Sequence, residues 1–315
     1  MTTVDAVASA GRSPSNDEDT ITAVPLRRPG RWVSAAIIVL FGALMAYGAA
    51  TNPAYGWPTY AKYLFDERVS QAVVITLLLT VISMAIAIAL GVVLSVMRES
   101  SNPVLQGASW VYLWVFRGTP VYVQLVLWGL LTTIYKHVDI GIPGGPYLFQ
   151  ADLQQIQAAF WLGALGLGLN EAAYMSEIVR AGIRSVGEGQ TEAATALGMG
   201  WAKTMRRIVL PQAMRVIIPP TGNELIGMLK TTSLVVAVPY GFDLYARTRD
   251  IGTPIFDPVP LLLVASTWYL AITSVLMVGQ FYLERHFSRG LSRTMSARQL
   301  RIQQEETLRT TGGAS

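Results

Sequence analysis

The chain has no cysteine, which excludes disulfide frameworks, Cys-ligated zinc and thiol catalysis. Histidine is nearly as scarce: His137 and His286 are the only two, far apart and without a partner at metal-ligand spacing, so no metal site is expected. Charge is the third shortage. Only 14% of the 315 residues are Asp, Glu, Lys or Arg, well below the roughly 25% usual in soluble domains. No phosphate loop of the form G-x-x-x-x-G-K-[ST] occurs, so nucleotide hydrolysis of that type is not expected of this chain. The apolar segments hold no Ser/His, paired-Asp or HExxH constellation either, which argues against an intramembrane enzyme. What fills the chain is hydrophobic sequence, 52% of it, and the expectation is a membrane protein.

A helix needs about 20 apolar residues to span a bilayer. Candidate spans are Trp32–Thr51, Val69–Met97, Trp110–Tyr135 with an interruption at Arg117–Pro120, Ile156 to Gly182, Met214 to Val238, and Val259–Leu283. Pro219 and Pro220 inside the fifth are expected to open that helix by removing backbone donors. About six spans put both termini on one side. Cations then choose the side: Arg27, Arg28, Arg31, Arg98, Arg184, Lys203, Arg206, Arg207 and the arginines from Arg285 to Arg309 cluster with the termini, against Lys62, Arg68, Lys136, Arg247 and Arg249 opposite. The positive-inside rule makes the termini cytoplasmic. Residues 1–31 have no periodic apolar face and lack a signal-peptide pattern, so they read as a disordered cytoplasmic tail. Residues 286–315 form a second cytoplasmic tail. The segment Gly141–Pro146 is turn-rich and is expected to be irregular.

One polar stretch interrupts this pattern. Glu192–Pro211 reads EAATALGMGWAKTMRRIVLP. Thr191–Leu197 is a run of good helix formers, and Gly198 can take the left-handed conformation that ends a helix. Gly200 can cap a second helix that carries Lys203, Arg206 and Arg207 and runs to Pro211. Two short helices meeting at a glycine corner make a knob suited to a groove on another protein.

This stretch resembles the EAA loop of ABC-transporter permeases. Phe116-Arg117-Gly118-Thr119-Pro120 with Gln124, Asn170-Glu171-Ala172-Ala173-Tyr174 with Glu177, and Pro219, Asn223-Glu224 and Lys230–Leu234 are similar to segments of polar amino acid permeases in the same order. The resemblance covers residues 69–285, with the EAA loop at 188–211; residues 32–68 would be an extra first helix and outer loop. It implies an all-α type I ABC importer fold in a bacterial inner membrane. It also implies a pair of ABC ATPases on the hairpin, with Glu192, Ala193, Ala194, Gly198, Arg206 and Pro211 in the coupling contact. A second permease, identical or homologous, and an extracytoplasmic solute-binding protein would complete the assembly. No cofactor is expected in this chain, ATP and Mg belonging to the ATPase, and no nucleic acid is expected as partner. A secondary transporter or channel for a small polar solute is the alternative; it would not need the hairpin.

Charge inside a span is costly and faces a cavity or a partner. Arg117, Thr119, Tyr174, Glu177, Arg180, Asn223 and Glu224 are the candidate lining of the solute path, offering both charges to a zwitterion. Simple neutralisation, with Glu177 paired to Arg180, Arg184 or Arg117, is the competing reading of the same residues.

Overall fold

The computed structural model describes residues 29–142, 146–153 and 156–287. The two tails therefore lie mostly outside the described residues. The chain divides into Met1–Pro53 and Ala54–Ser315. Helix α1 (Pro29–Thr51) is the described part of the first unit, apolar and long enough to cross a membrane.

The second unit is built on α3 (Glu67–Glu99) and α6 (Ile156–Arg184). Asp66 caps α3, accepting from the Arg68 N–H at 2.9 Å. The pair runs parallel and packs through small residues, which lets backbones approach closely where lipid supplies no hydrophobic drive. A Cβ at Gly91 would sit 2.6 Å from Met175 Cβ, and one at Gly168 would sit 3.0 Å from the Ser83 carbonyl oxygen. Ala87 and Ala172, also fully buried, extend the seam.

The third span is two helices, α4 (Pro103–Gly118) and α5 (Val121–Ile134), broken at Thr119-Pro120 as the Gly-Thr-Pro sequence leads one to expect. After a short antiparallel hairpin, β1 (His137–Gly141) with β2 (Tyr147–Asp152), and α6, the chain enters α7 (Glu188–Ala196) and α8 (Trp201–Thr204). Helix α9 (Leu210–Thr231) carries Pro219 and Pro220, and a 3₁₀ turn over Thr232–Ala237 follows it. Helices α10 (Leu244–Gly252) and α11 (Pro258–Phe287) complete the unit, with α2 (Trp57–Tyr63) packed on α11. By length and composition α1, α3 and α11 qualify as spans among the described residues, and α5 is a shorter apolar helix.

The all-α class stands, with one short strand pair, β1 and β2, flanking the turn-rich Gly141–Pro146 segment. Three expectations need correction. Pro219 and Pro220 do not open the helix: α9 is continuous through them, and Gln280 Nε2 on α11 donates to the Pro219 carbonyl at 2.8 Å. The first hairpin helix starts at Glu188, three residues ahead of Thr191, with Gly187 at its N-cap. The second hairpin helix does not stop at Pro211. It passes through a π turn, Met205–Val209, straight into α9, and Pro211 directly follows that turn.

Candidate functional site

The hairpin is resolved down to its hydrogen bonds. Gly198 has φ 73°, the region that favours glycine. Its N–H donates to the Thr195 carbonyl at 2.9 Å, and the Met199 N–H donates to the Ala194 carbonyl at 3.0 Å. Those paired bonds make a Schellman motif that closes α7. Gly200 then caps α8 in extended conformation. Ala194 is buried, and α7 packs on the π segment. Glu192, Ala193, Arg206, Arg207 and Pro211 all stay exposed. Leu197 and Trp201 flank the corner at 80% and 70% exposure, so two large apolar side chains stay uncovered on an otherwise polar knob.

Above the hairpin lies a cluster of arginines sharing fewer carboxylates. Glu177 on α6 accepts from Arg98 at 2.5 Å and from Arg117 at 3.2 Å, and lies 3.6 Å from Arg180. Glu99 at the end of α3 accepts from Arg180 and Arg184, both at 2.9 Å. Glu177 is therefore ion-paired to both Arg117 and Arg180. Arg184 serves Glu99 and not Glu177. Arg98, the shortest partner of Glu177, was not among the sequence candidates, because 79 residues separate the two; only the parallel packing of α3 and α6 joins them.

The break between α4 and α5 is held by amides. Gln124 Nε2 lies 3.0 Å from the Phe116 carbonyl, 3.1 Å from the Thr119 carbonyl and 2.7 Å from Thr119 Oγ1. Asn170 Nδ2 donates to the Phe116 carbonyl at 2.9 Å and to Gln124 Oε1 at 3.1 Å. The last carbonyls of a helix lack internal partners, and here buried side chains satisfy them. Thr119 Oγ1 also donates to the Val115 carbonyl at 2.8 Å. Thr119 thus serves the break, and so does Asn170 on α6.

One turn from this knot, Arg117 lies over the Tyr174 ring at 5.4 Å. Next to Tyr174 on α6 is Glu171, which faces Glu224 on α9. Glu171 Oε1 is buried with no hydrogen-bond partner among the described residues. Two carboxylates brought together in a span need a proton or a cation between them. Glu171 lies outside the path candidates of the sequence, and its spacing of three positions from Tyr174 on α6 is the signal that points to it. Asn223 points elsewhere: its Nδ2 is 3.5 Å from Glu284 on α11, and Gln280 also donates to Glu284, at 2.8 Å. No group of three or more His, Asp or Glu suited to a metal exists among the described residues.

The profile of the family described as "binding-protein-dependent transport system inner membrane component" matches residues 87–289. The chain is similar to the arginine transport system permease protein ArgU of Corynebacterium glutamicum, 59% identical over 281 residues, covering 89% of this chain and 87% of that one. It is 37% identical over 214 residues to the histidine/lysine/arginine/ornithine permease HisM of Salmonella typhimurium, covering 65% and 83%. Among solved structures, an amino acid ABC transporter with histidines matches with TM-score 0.59 and 30% identity, over 72% of this chain and 97% of that one.

Proposed function

Because the chain belongs to the family of binding-protein-dependent transport system inner membrane components, as a permease subunit of the amino-acid ABC type, we propose that it carries a basic amino acid. The observation that supports this most is the pair Glu171 and Glu224, with one buried carboxylate oxygen left without a partner. A guanidinium or ammonium side chain supplies the cation such a pair needs and gives charge-assisted hydrogen bonds in return. Arg117, held over Tyr174 three positions along α6 from Glu171, suits the α-carboxylate of the same solute. The basic solutes in the names of ArgU and HisM point the same way.

In this reading the path is lined by Arg117, Tyr174, Glu171 and Glu224. Glu177 and Arg180 hold the helices at its hairpin end, and Thr119 keeps the α4–α5 break. Asn223 contributes through Glu284 on α11. The hairpin, with Leu197 and Trp201 exposed around Gly198, docks into an ATPase that brings its own ATP and Mg. A pair of ATPases, a second permease of the same or a related sequence and an extracytoplasmic binding protein complete the transporter. Both termini and the hairpin face the cytoplasm of a bacterial cell, and ATP-driven closure of the ATPases opens the path outward.

The test uses the complete transporter in proteoliposomes with labelled arginine and a neutral amino acid as competitor. Glu171→Gln and Glu224→Gln each remove one carboxylate while keeping size. Losing a hydrogen bond to a charged group is expected to reduce arginine uptake by about tenfold or more, with ATP hydrolysis retained. Unchanged arginine uptake and selectivity in both variants would sink the assignment.

A further inference from the structure

At the hairpin end of the spans, a shallow cleft of about 480 Å³ opens between α3, α4 and α6, lined by Arg98, Pro103, Gln106, Gly107, Trp110 and Arg180. We propose that this cleft binds the headgroup of an anionic phospholipid, whose acyl chains run along α4.

Three independent observations converge on that occupant. The first is charge. The ion-pair cluster behind the cleft contains Arg98, Arg117, Arg180 and Arg184 but only Glu99 and Glu177 as carboxylates. An excess of positive charge at the edge of the hydrocarbon calls for an anion, and basic pockets between membrane helices accept acidic headgroups. The guanidiniums have donors to spare, since each carries five N–H groups. Glu177 takes one from Arg98, and Glu99 takes the Nε of Arg180.

The second is depth and apolar continuation. Pro103 opens α4, directly after the loop that Asn102 caps, so the cleft sits where the chain turns back into the membrane. From there Trp110 and Trp114 stack on each other at 6.2 Å with planes 3° apart. They are 61% and 65% exposed on one face of α4. Tryptophan at headgroup depth is the usual membrane-interface arrangement, and this pair offers acyl chains a flat wall beginning at the cleft.

The third is Gly107. It occupies the interior of α4, where glycine is a poor helix former, and a Cβ there would meet nothing within 4 Å. No packing contact requires a glycine at this position; what its small size provides is the open cleft. Arg180 and Arg184 lie in the last two turns of α6, just ahead of α7, so a phospholipid seated here would brace the root of the coupling hairpin.

The proposal concerns lipid and not solute, so it stands or falls separately from the assignment of a basic amino acid. The experiment takes the complete transporter, purified in mild detergent, and weighs retained phospholipids by native mass spectrometry after exchange with phosphatidylglycerol or phosphatidylcholine. Attraction from a pair of guanidiniums predicts a preference for phosphatidylglycerol of about tenfold or more. Gly107→Leu, which improves helix propensity while filling the cleft, is expected to abolish that preference; Gly107→Ala is expected to keep it. Excess inorganic phosphate should leave the lipid in place. Equal retention of both lipids, or a preference untouched by Gly107→Leu, would overturn the proposal. Displacement by phosphate alone would overturn it too, by identifying a site for free anions.

Discussion

Gly198 is where the proposed coupling role of the hairpin can be tested apart from folding. Its φ of 73° is set by the Schellman bonds that end α7, and a Cβ there meets nothing within 4 Å. Substitution therefore brings no steric clash, and the cost is confined to the backbone. A non-glycine residue held in the left-handed region loses about 1–2 kcal/mol, and valine, branched at Cβ, sits at the upper end or beyond. One to two kcal/mol is a factor of roughly 5–30 in the population of the closed corner. If docking requires that corner, Gly198→Val should lower binding-protein-stimulated ATP hydrolysis and uptake by about that factor. Insertion and abundance should remain normal, because Leu197 and Trp201 beside it are exposed and belong to no core. Gly198→Asn is the control, since asparagine tolerates left-handed backbone, and it should retain most of the activity. The assay is stimulated ATPase activity of the whole transporter in proteoliposomes. Full coupling with valine, or equal loss with asparagine and valine, would refute the reasoning.

Two further outcomes follow. Asp243, between α9 and α11 and outside the spans, caps α10 through the Ala246 N–H at 3.2 Å and is fully buried; burial pushes its carboxyl up from 3.8 to about 6. The folded protein thus keeps a proton the unfolded chain has lost, so stability is greatest below the ordinary value and falls as pH rises through about 6. Asp243→Asn should flatten that slope in thermal unfolding from acid to neutral pH and raise stability at neutral pH by roughly 3 kcal/mol; an unchanged slope would contradict the burial argument. For orientation, a reporter active only outside the cytoplasm should work when fused at Ile142, in the hairpin between α5 and α6, and be silent at Gly187; the reverse pattern would invert the topology.

Much of this was legible in the sequence where the physics is local. The α4–α5 break follows from Gly-Thr-Pro, the α7 terminus from Gly198, and the start of α8 from Gly200. What the sequence hid is non-local. Arg98 meets Glu177 because α3 and α6 run parallel through a seam of small residues, and nothing in either segment announces the other. Gln124 and Asn170 stand out in the sequence only as parts of the family-like motifs, and their contact with the orphan carbonyls of the α4 terminus joins positions that neither motif links to the other. The pair Pro219-Pro220 suggested a broken helix, but Gln280 on a neighbouring span supports the backbone there. Glu171 escaped selection since its meaning depends on Glu224, on a helix about fifty residues away, and becomes visible only when α6 and α9 are packed.

The central claim is that solute movement through this chain is driven by a separate ATPase acting on the hairpin. It is tested most directly by measuring labelled arginine uptake into proteoliposomes that contain the permease with its ATPase and binding protein. ATP is supplied on the hairpin side, with ion gradients collapsed. The account predicts concentrative uptake that needs ATP hydrolysis and is lost when the ATPase is omitted. Uptake that persists without ATPase or ATP and follows an imposed ion gradient would contradict it and make the chain a secondary transporter.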